Sequence, residues 1–155
     1  MINLSSKDYT FIGIQFLFFI IYIVDIEIFE VPQILPDFLL GILVAVGTAL
    51  CLTAVIQLNT NLSPFPSPKP NLKLIKTGIF KYIRHPIYTG LFVGLLAYGL
   101  YTHSSSKILI SLFLLFWFYL KSEYEEKLLT QKFSDYKKYK TLTGKFFPKL
   151  TFSNR

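Results

Sequence analysis

Four uninterrupted apolar blocks, separated by polar stretches, organise this chain. The first covers about Tyr9–Val24 (YTFIGIQFLFFIIYIV), and the second, Phe38–Leu58, contains no charge at all. The third, Ile87–Tyr101, leads through the short loop THSSSK into the fourth, Ile108–Leu120. Blocks of this length point to lipid as the solvent. The expected fold is all-α and integral to the membrane: one domain over 1–155, with about four transmembrane helices at 9–29, 38–58, 84–101 and 108–122. A connector at 59–83 and an amphipathic helical tail at 123–155 complete it.

The last two spans form a short hairpin. Ile108–Leu120 rises only ~20 Å at ~1.5 Å per residue, against a hydrocarbon core of ~30 Å. Either this helix continues past Lys121 at membrane depth or the hairpin sits low in the bilayer. Both options hold Glu123, Glu125 and Glu126 near the interface. Trp117 and Tyr119, just before Lys121, suit an interfacial aromatic belt.

Composition sharpens the class. Hydrophobic residues make up 52% of the chain and charged residues 16%, against ~25% charged in a soluble domain. The net charge of +7 comes from basic residues that flank the apolar blocks. Anionic lipid head groups are thus the expected partner, and nucleic acid is not. Connector and tail together carry fourteen Lys/Arg and the N-terminus adds Lys7, whereas the opposite side has Lys107 alone. The positive-inside rule then expects both termini and the connector in the cytoplasm. The first block lacks a basic start and a small-residue cleavage site, which argues against a removed signal peptide. The lone Cys51 excludes an internal disulfide framework and reads as a small buried hydrophobe.

Between the blocks, DIEIFEVPQILPD carries Asp25, Glu27, Glu30 and Asp37 with no basic residue. The strip PFPSPKP has proline at every second position from 64 to 70, which forbids helix and favours an extended segment. It reads first as a stiff linker, and second as a fixed cover over a site beneath it. The tail reads as two helical pieces, KSEYEEKLLTQKF and then DYKKYKTL, the second capped by Ser134 with Tyr136 and Tyr139 on one face. A membrane-surface helix is the simplest reading of that second piece.

Chemistry is concentrated at one place. Phosphate-binding Gly loops, Cys/His metal spacings and a Gly-x-Ser-x-Gly elbow are all missing from the sequence, so no metal is expected. RHPIY opens the third block and EYEEKLL closes the fourth. A tight antiparallel hairpin brings those two ends to the same membrane face, so Arg84 and His85 approach Glu123, Glu125 and Glu126. One reading makes Arg84 a head-group anchor, Pro86 a helix start and His85 a satisfied interfacial residue. The other makes a carboxylate and imidazole cluster that holds a polar ligand beside lipid. His103, on the opposite face, reads as a solvated loop residue.

LIKTGIFKYIRHPIYTG, then EYEEKLLTQKFSDYKKY and TGKFFP, resembles the isoprenylcysteine carboxyl methyltransferase and phospholipid methyltransferase superfamily. The likeness covers about residues 59–148; the first two helices match in character only. It implies a membrane enzyme that takes S-adenosylmethionine into a pocket built from connector, hairpin and tail, without a Rossmann-type fold. By the same resemblance Leu74, Ile75, Phe80, His85 and Tyr88 line the cofactor pocket and Pro86 fixes the turn. Glu125 binds the cofactor, and Glu126 is its partner or structural support. Lys121 and Glu126 become the candidate catalytic residues. The implied acceptor is lipophilic: an isoprenylcysteine-like carboxylate, a thiol or a phospholipid amine.

Three positions depart from that pattern. Phe80 stands where tyrosine is usual, removing a hydroxyl contact, and Ser134 replaces a glycine. Lys121 lies one turn before Glu125, where carboxyl-methylating members carry an arginine facing the substrate. Lysine keeps the charge without the bidentate fork that suits a carboxylate. Two other classes compete: a sterol-reductase-like oxidoreductase, whose usual Arg-Asp and Cys-rich elements are missing here, and a non-catalytic membrane scaffold.

Overall fold

The computed structural model describes residues 4–149, and these are helical with no strand among them. The helices are α1 (Ser6–Ile23), α2 (Asp37–Leu58), α3 (Pro86–Tyr101), α4 (Ser105–Lys132) and α5 (Tyr136–Leu142), with short 3-10 turns at Asn59–Asn61 and Gly78–Lys81. The last residues of the expected tail, 150–155, lie outside the described part.

Three of these helices are long and apolar enough to cross a membrane: α1, α2 with its following turn, and α4. With 16 residues, α3 is shorter than the third expected span, 84–101, because Pro86 fixes its first turn and the chain leaves the helix at Thr102. The start of α2 lies one residue from the sequence expectation and its end coincides with it. In contrast, α1 stops at Ile23 rather than near residue 29. Asp25 turns away to accept a hydrogen bond from Lys107 Nζ (2.7 Å), and Ser105 Oγ accepts from the Ile28 amide (2.8 Å). Ser106 Oγ accepts from the Ile26 amide (3.1 Å). These bonds satisfy backbone groups that the helix would otherwise have used. The Lys107 bond also holds the Asp25 carboxyl below its usual range.

The tail expected to begin at 123 does not begin there, because α4 runs unbroken to Lys132. Between Lys121 and Lys132 there is no Gly or Pro, and Lys, Glu, Leu and Gln are all good helix formers. A change from apolar to charged residues changes the solvent, not the backbone. The following helix, α5, begins after Asp135 rather than being capped by Ser134.

Across the molecule the helices run α1–α4–α3–α2, since α1 packs on α4, α4 on α3, and α3 on α2. Leu114 and Phe118 of α4 are fully buried against Tyr22, Phe18 and Phe19 of α1 and Tyr88, Leu91 and Leu95 of α3. Tyr22 donates to the Leu95 carbonyl (2.6 Å), tying α1 to α3. The α2–α3 contact is made by small residues: a Cβ on Gly47 would stand 2.6 Å from the Gly90 carbonyl oxygen and the Gly94 amide. Lipid-solvated helices associate through such close backbone approach, because burial of apolar surface gives them little. Phe16, Leu17 and Ile20 of α1, with Phe38, Ile42 and Ile56 of α2, remain exposed for lipid to cover.

Candidate active site

The site lies where the end of α2, the connector, the start of α3 and the second half of α4 meet. The connector enters it through Gly78, whose φ of +59° suits glycine. Gln57 Oε1 accepts from the Ile79 amide (3.1 Å) and would clash with any Cβ at position 78. That turn buries Phe80. Beyond it, the chain pairs with the tail: the Arg84 amide donates to Gly144 O (2.9 Å) and the His85 amide to Lys145 O (3.0 Å). His85 then stands immediately before Pro86, at the head of α3.

The Pro-rich strip is a cover, not a free linker. Asp8 of α1, fully buried, accepts from the Ser67 amide (2.9 Å) and the Ser67 hydroxyl (2.8 Å). Asp8 also accepts from the Ser5 amide (2.7 Å) and hydroxyl (2.9 Å), which fixes the start of α1. Lys121 Nζ donates to Pro64 O (2.9 Å) and Lys132 Nζ to Pro70 O (2.9 Å). A strip whose prolines make no internal bonds is held by its neighbours at both ends and in the middle.

Beneath the cover is a cavity of about 350 Å³. Leu74, Ile75, Phe80, His85, Pro86, Tyr88, Lys121 and Glu125 all line it. Tyr88 donates to Glu125 Oε2 (3.1 Å), and His85 Nδ1 stands 3.7 Å from the same oxygen. The His85, Tyr88 and Phe118 rings form a stack, with centroids 5.4 Å and 4.8 Å apart and planes within 4° and 8° of parallel. Lys121, only 1% exposed, bonds to Gln15 Oε1 (2.7 Å) and Pro64 O, and its Nζ lies 5.4 Å from the centre of the Tyr88 ring. None of those partners is a carboxylate. The cavity therefore has the Glu125 carboxylate on one side and, on another, the buried Lys121 ammonium held by an amide oxygen and a backbone carbonyl.

Glu126 does not line this cavity, unlike the other candidates. It lies behind His85, accepting from His85 Nε2 (3.0 Å) and Arg84 Nε (2.9 Å), with Lys140 Nζ 2.7 Å from its second oxygen. Its carboxylate faces Arg84, His85 and Lys140, not the open space. Nor is Arg84 a head-group anchor: its side chain is 6% exposed and also donates to the carbonyls of Lys140 and Thr143. Glu123, the third glutamate, pairs with Lys145 on the outside.

Several contributors escaped the sequence reading. Gln15 and Asp8 come from α1. Tyr136 and Tyr139 of α5 face inward to wall the cavity, so this face of α5 is packed against the rest of the protein. Burial pushes the Tyr139 hydroxyl up to about 12 and the Tyr136 hydroxyl higher still, so both stay protonated. Tyr139 accordingly donates to Phe80 O. The regular Tyr-x-x-Tyr spacing was the available signal, read as amphipathic instead of as a wall. Among the described residues no group of His, Cys, Asp and Glu is arranged to hold a metal.

Among curated proteins no relative matches the chain. The family described as phospholipid methyltransferase matches residues 36–149, which takes in α2 to α5 and the whole connector. The split RHPIY and EYEE elements fall inside that match and meet in the cavity beneath the Pro-rich cover. This chain belongs to the phospholipid methyltransferase family.

Proposed function

We propose that this protein transfers a methyl group from S-adenosylmethionine to a lipophilic acceptor that reaches the cavity from the bilayer. The observation that carries the reading is the meeting of His85, Tyr88 and Glu125 with apolar connector walls in one covered cavity beside lipid-exposed helices. The donor set fits the cofactor. Glu125, 28% exposed, can accept from an ammonium or a ribose diol while Tyr88 holds its other oxygen. Lys69 and Lys73 line the cavity and suit a carboxylate. Phe65, Leu74, Ile75 and Leu129 supply apolar surface for a purine ring. S-adenosylmethionine supplies an electrophilic methyl group on a sulfonium sulfur.

The residues of the chain then act mainly by placement and by excluding water, which suits an in-line displacement better than a strong base would. Glu126 orients His85 through Nε2 and keeps Arg84 in place. Tyr88, stacked between His85 and Phe118, holds Glu125 in register. Lys121 gives the acceptor's polar group a cation already stripped of water, on the α1 side of the cavity. By the positive-inside rule, the basic connector and tail support a cytoplasmic face for the site and for both termini. A phospholipid amine is the acceptor class the family's name supports first, and a prenyl thiol or carboxylate is the second.

The test is transfer of tritiated methyl from S-adenosylmethionine by purified protein in nanodiscs containing phosphatidylethanolamine, with prenyl thiol and prenylcysteine in parallel samples. Label in the lipid extract of one acceptor is expected. No label in any acceptor, from protein that is folded and monodisperse, would sink the proposal. A parallel measurement of reduced-nicotinamide binding separates this reading from a sterol-reductase-like one.

A further inference from the structure

A second cavity of about 530 Å³ opens on the outer side of α5, lined by Lys76, Lys81, Asp135, Lys138, Tyr139, Leu142 and Thr143. Its charge is unbalanced. Lys76 pairs with Asp135, whereas Lys81 and Lys138 have no carboxylate partner among the described residues. Two lysines lining one concave surface with no carboxylate partner favour an anion there.

The surroundings say which anion. The pairing of Ile83 with Gly144, and of the Arg84 and His85 amides with Gly144 and Lys145, ties this part of the tail to the base of α3. The cavity is thus fixed beside the stretch of chain that leads into α3. At its edge Tyr82, whose ring centre lies 5.9 Å from Lys81 Nζ, is 55% exposed, and Leu142, which lines it, is 62% exposed, although neither belongs to a membrane-spanning helix. Large apolar side chains left open beside free lysines suit the boundary between head groups and acyl chains. A soluble phosphate would use the lysines and gain nothing from that rim.

We propose that this second cavity binds the phosphate of an anionic phospholipid, with Lys81 and Lys138 on the head group and Tyr82 and Leu142 against the acyl chains. It is separate from the methyl-transfer cavity, and Tyr139 lines both, forming the partition between them. The proposal does not depend on the chemistry assigned to the first cavity.

Native mass spectrometry of the whole protein, released from micelles doped with equal amounts of phosphatidylglycerol and phosphatidylcholine of the same chain length, tests it. Wild type should retain phosphatidylglycerol preferentially. The Lys81→Gln/Lys138→Gln double variant should lose that preference by about thirtyfold, the product of the surface attraction of two lysines. Thermal melting in zwitterionic detergent, unchanged within two or three degrees on the order of normal mutant scatter, shows that the variant is folded. Should it melt early, Lys138→Gln alone, on the exposed face of α5, must lower the preference about fivefold. Equal retention of both lipids by wild type would overturn the proposal, as would a folded variant with undiminished preference. Displacement of the lipid by millimolar inorganic phosphate would assign the site to a soluble anion and overturn it too.

Discussion

Replacing Glu126 should damage this protein far more than its absence from the cavity lining suggests. Its side chain is 1% exposed and faces the Arg84 guanidinium, the Lys140 ammonium and the His85 imidazole. Lys140, 43% exposed, can return to water when the carboxylate is lost, so its pair contributes little. Arg84 and His85, each 6% exposed, cannot. Glu126→Ala therefore strands a guanidinium in a dry site, a change that costs about 3–5 kcal/mol. For a chain of this size that corresponds to a fall of about 10 °C in melting temperature. Glu126→Gln keeps an acceptor oxygen for Arg84 and His85 and should cost about 1–3 kcal/mol. The decisive comparison is the pair Glu126→Leu and Arg84→Met/Glu126→Leu. Removing the arginine as well removes the stranded charge, so the double variant should melt above the single one. The assay is thermal unfolding in detergent, followed by binding of S-adenosylmethionine. A Glu126→Ala variant that melts within 2 °C of wild type, on the same scale of about 2–4 °C per kcal/mol, would refute this account of the ion-pair cluster.

Tyr88→Phe removes the hydroxyl that holds Glu125 while leaving the aromatic stack, and should weaken S-adenosylmethionine binding about fivefold by calorimetry with little change in stability. Asp8→Ala removes both bonds to Ser67 and the fixed start of α1; it should cost about 2 kcal/mol and speed amide exchange across residues 64–70 in hydrogen-exchange mass spectrometry. Gly47→Leu would force α2 off Gly90 and Gly94, and the expected outcome is loss of folded, monodisperse protein on size exclusion, whereas Gly41→Leu, which meets nothing within 4 Å, should be tolerated. Lys121→Met should leave S-adenosylmethionine affinity within about threefold yet cut methyl transfer at least tenfold, if its charge serves the acceptor rather than the cofactor.

The sequence made the membrane helices readable where lipid alone decides them. The unbroken apolar block of α2 was placed within a residue, and Pro86 marked the start of α3 because proline is pre-organised for a first turn. The end of α1 was misplaced because it is set from outside, by the serines and Lys107 of the first turn of α4, far along the chain. The end of α4 was left open between two options for the opposite reason: a run of charge changes the solvent but gives the backbone no reason to stop. Within the site, the adjacency of His85 to Glu125 and Glu126 followed from the hairpin topology. What stayed hidden was side-chain direction. Glu125 and Glu126 are neighbours on one helix, and only packing decides that the first faces the cavity and the second faces Arg84. Gln15 and Asp8 reach the site from a helix with no motif of its own, and the Pro-rich strip becomes a cover only once Asp8 is seen to hold it. Physical contact across such distances leaves no local pattern to read.

The central claim is that one cavity, walled by connector, hairpin and tail, holds S-adenosylmethionine against His85, Tyr88 and Glu125. Equilibrium binding of S-adenosylmethionine to the detergent-solubilised protein tests it most directly, using wild type, His85→Ala and Glu125→Ala. Saturable one-to-one binding is predicted for wild type, weakened at least tenfold in each variant, as expected for loss of a hydrogen bond to a charged group. Folded wild type that shows no binding, or variants that bind as wild type does, would contradict it.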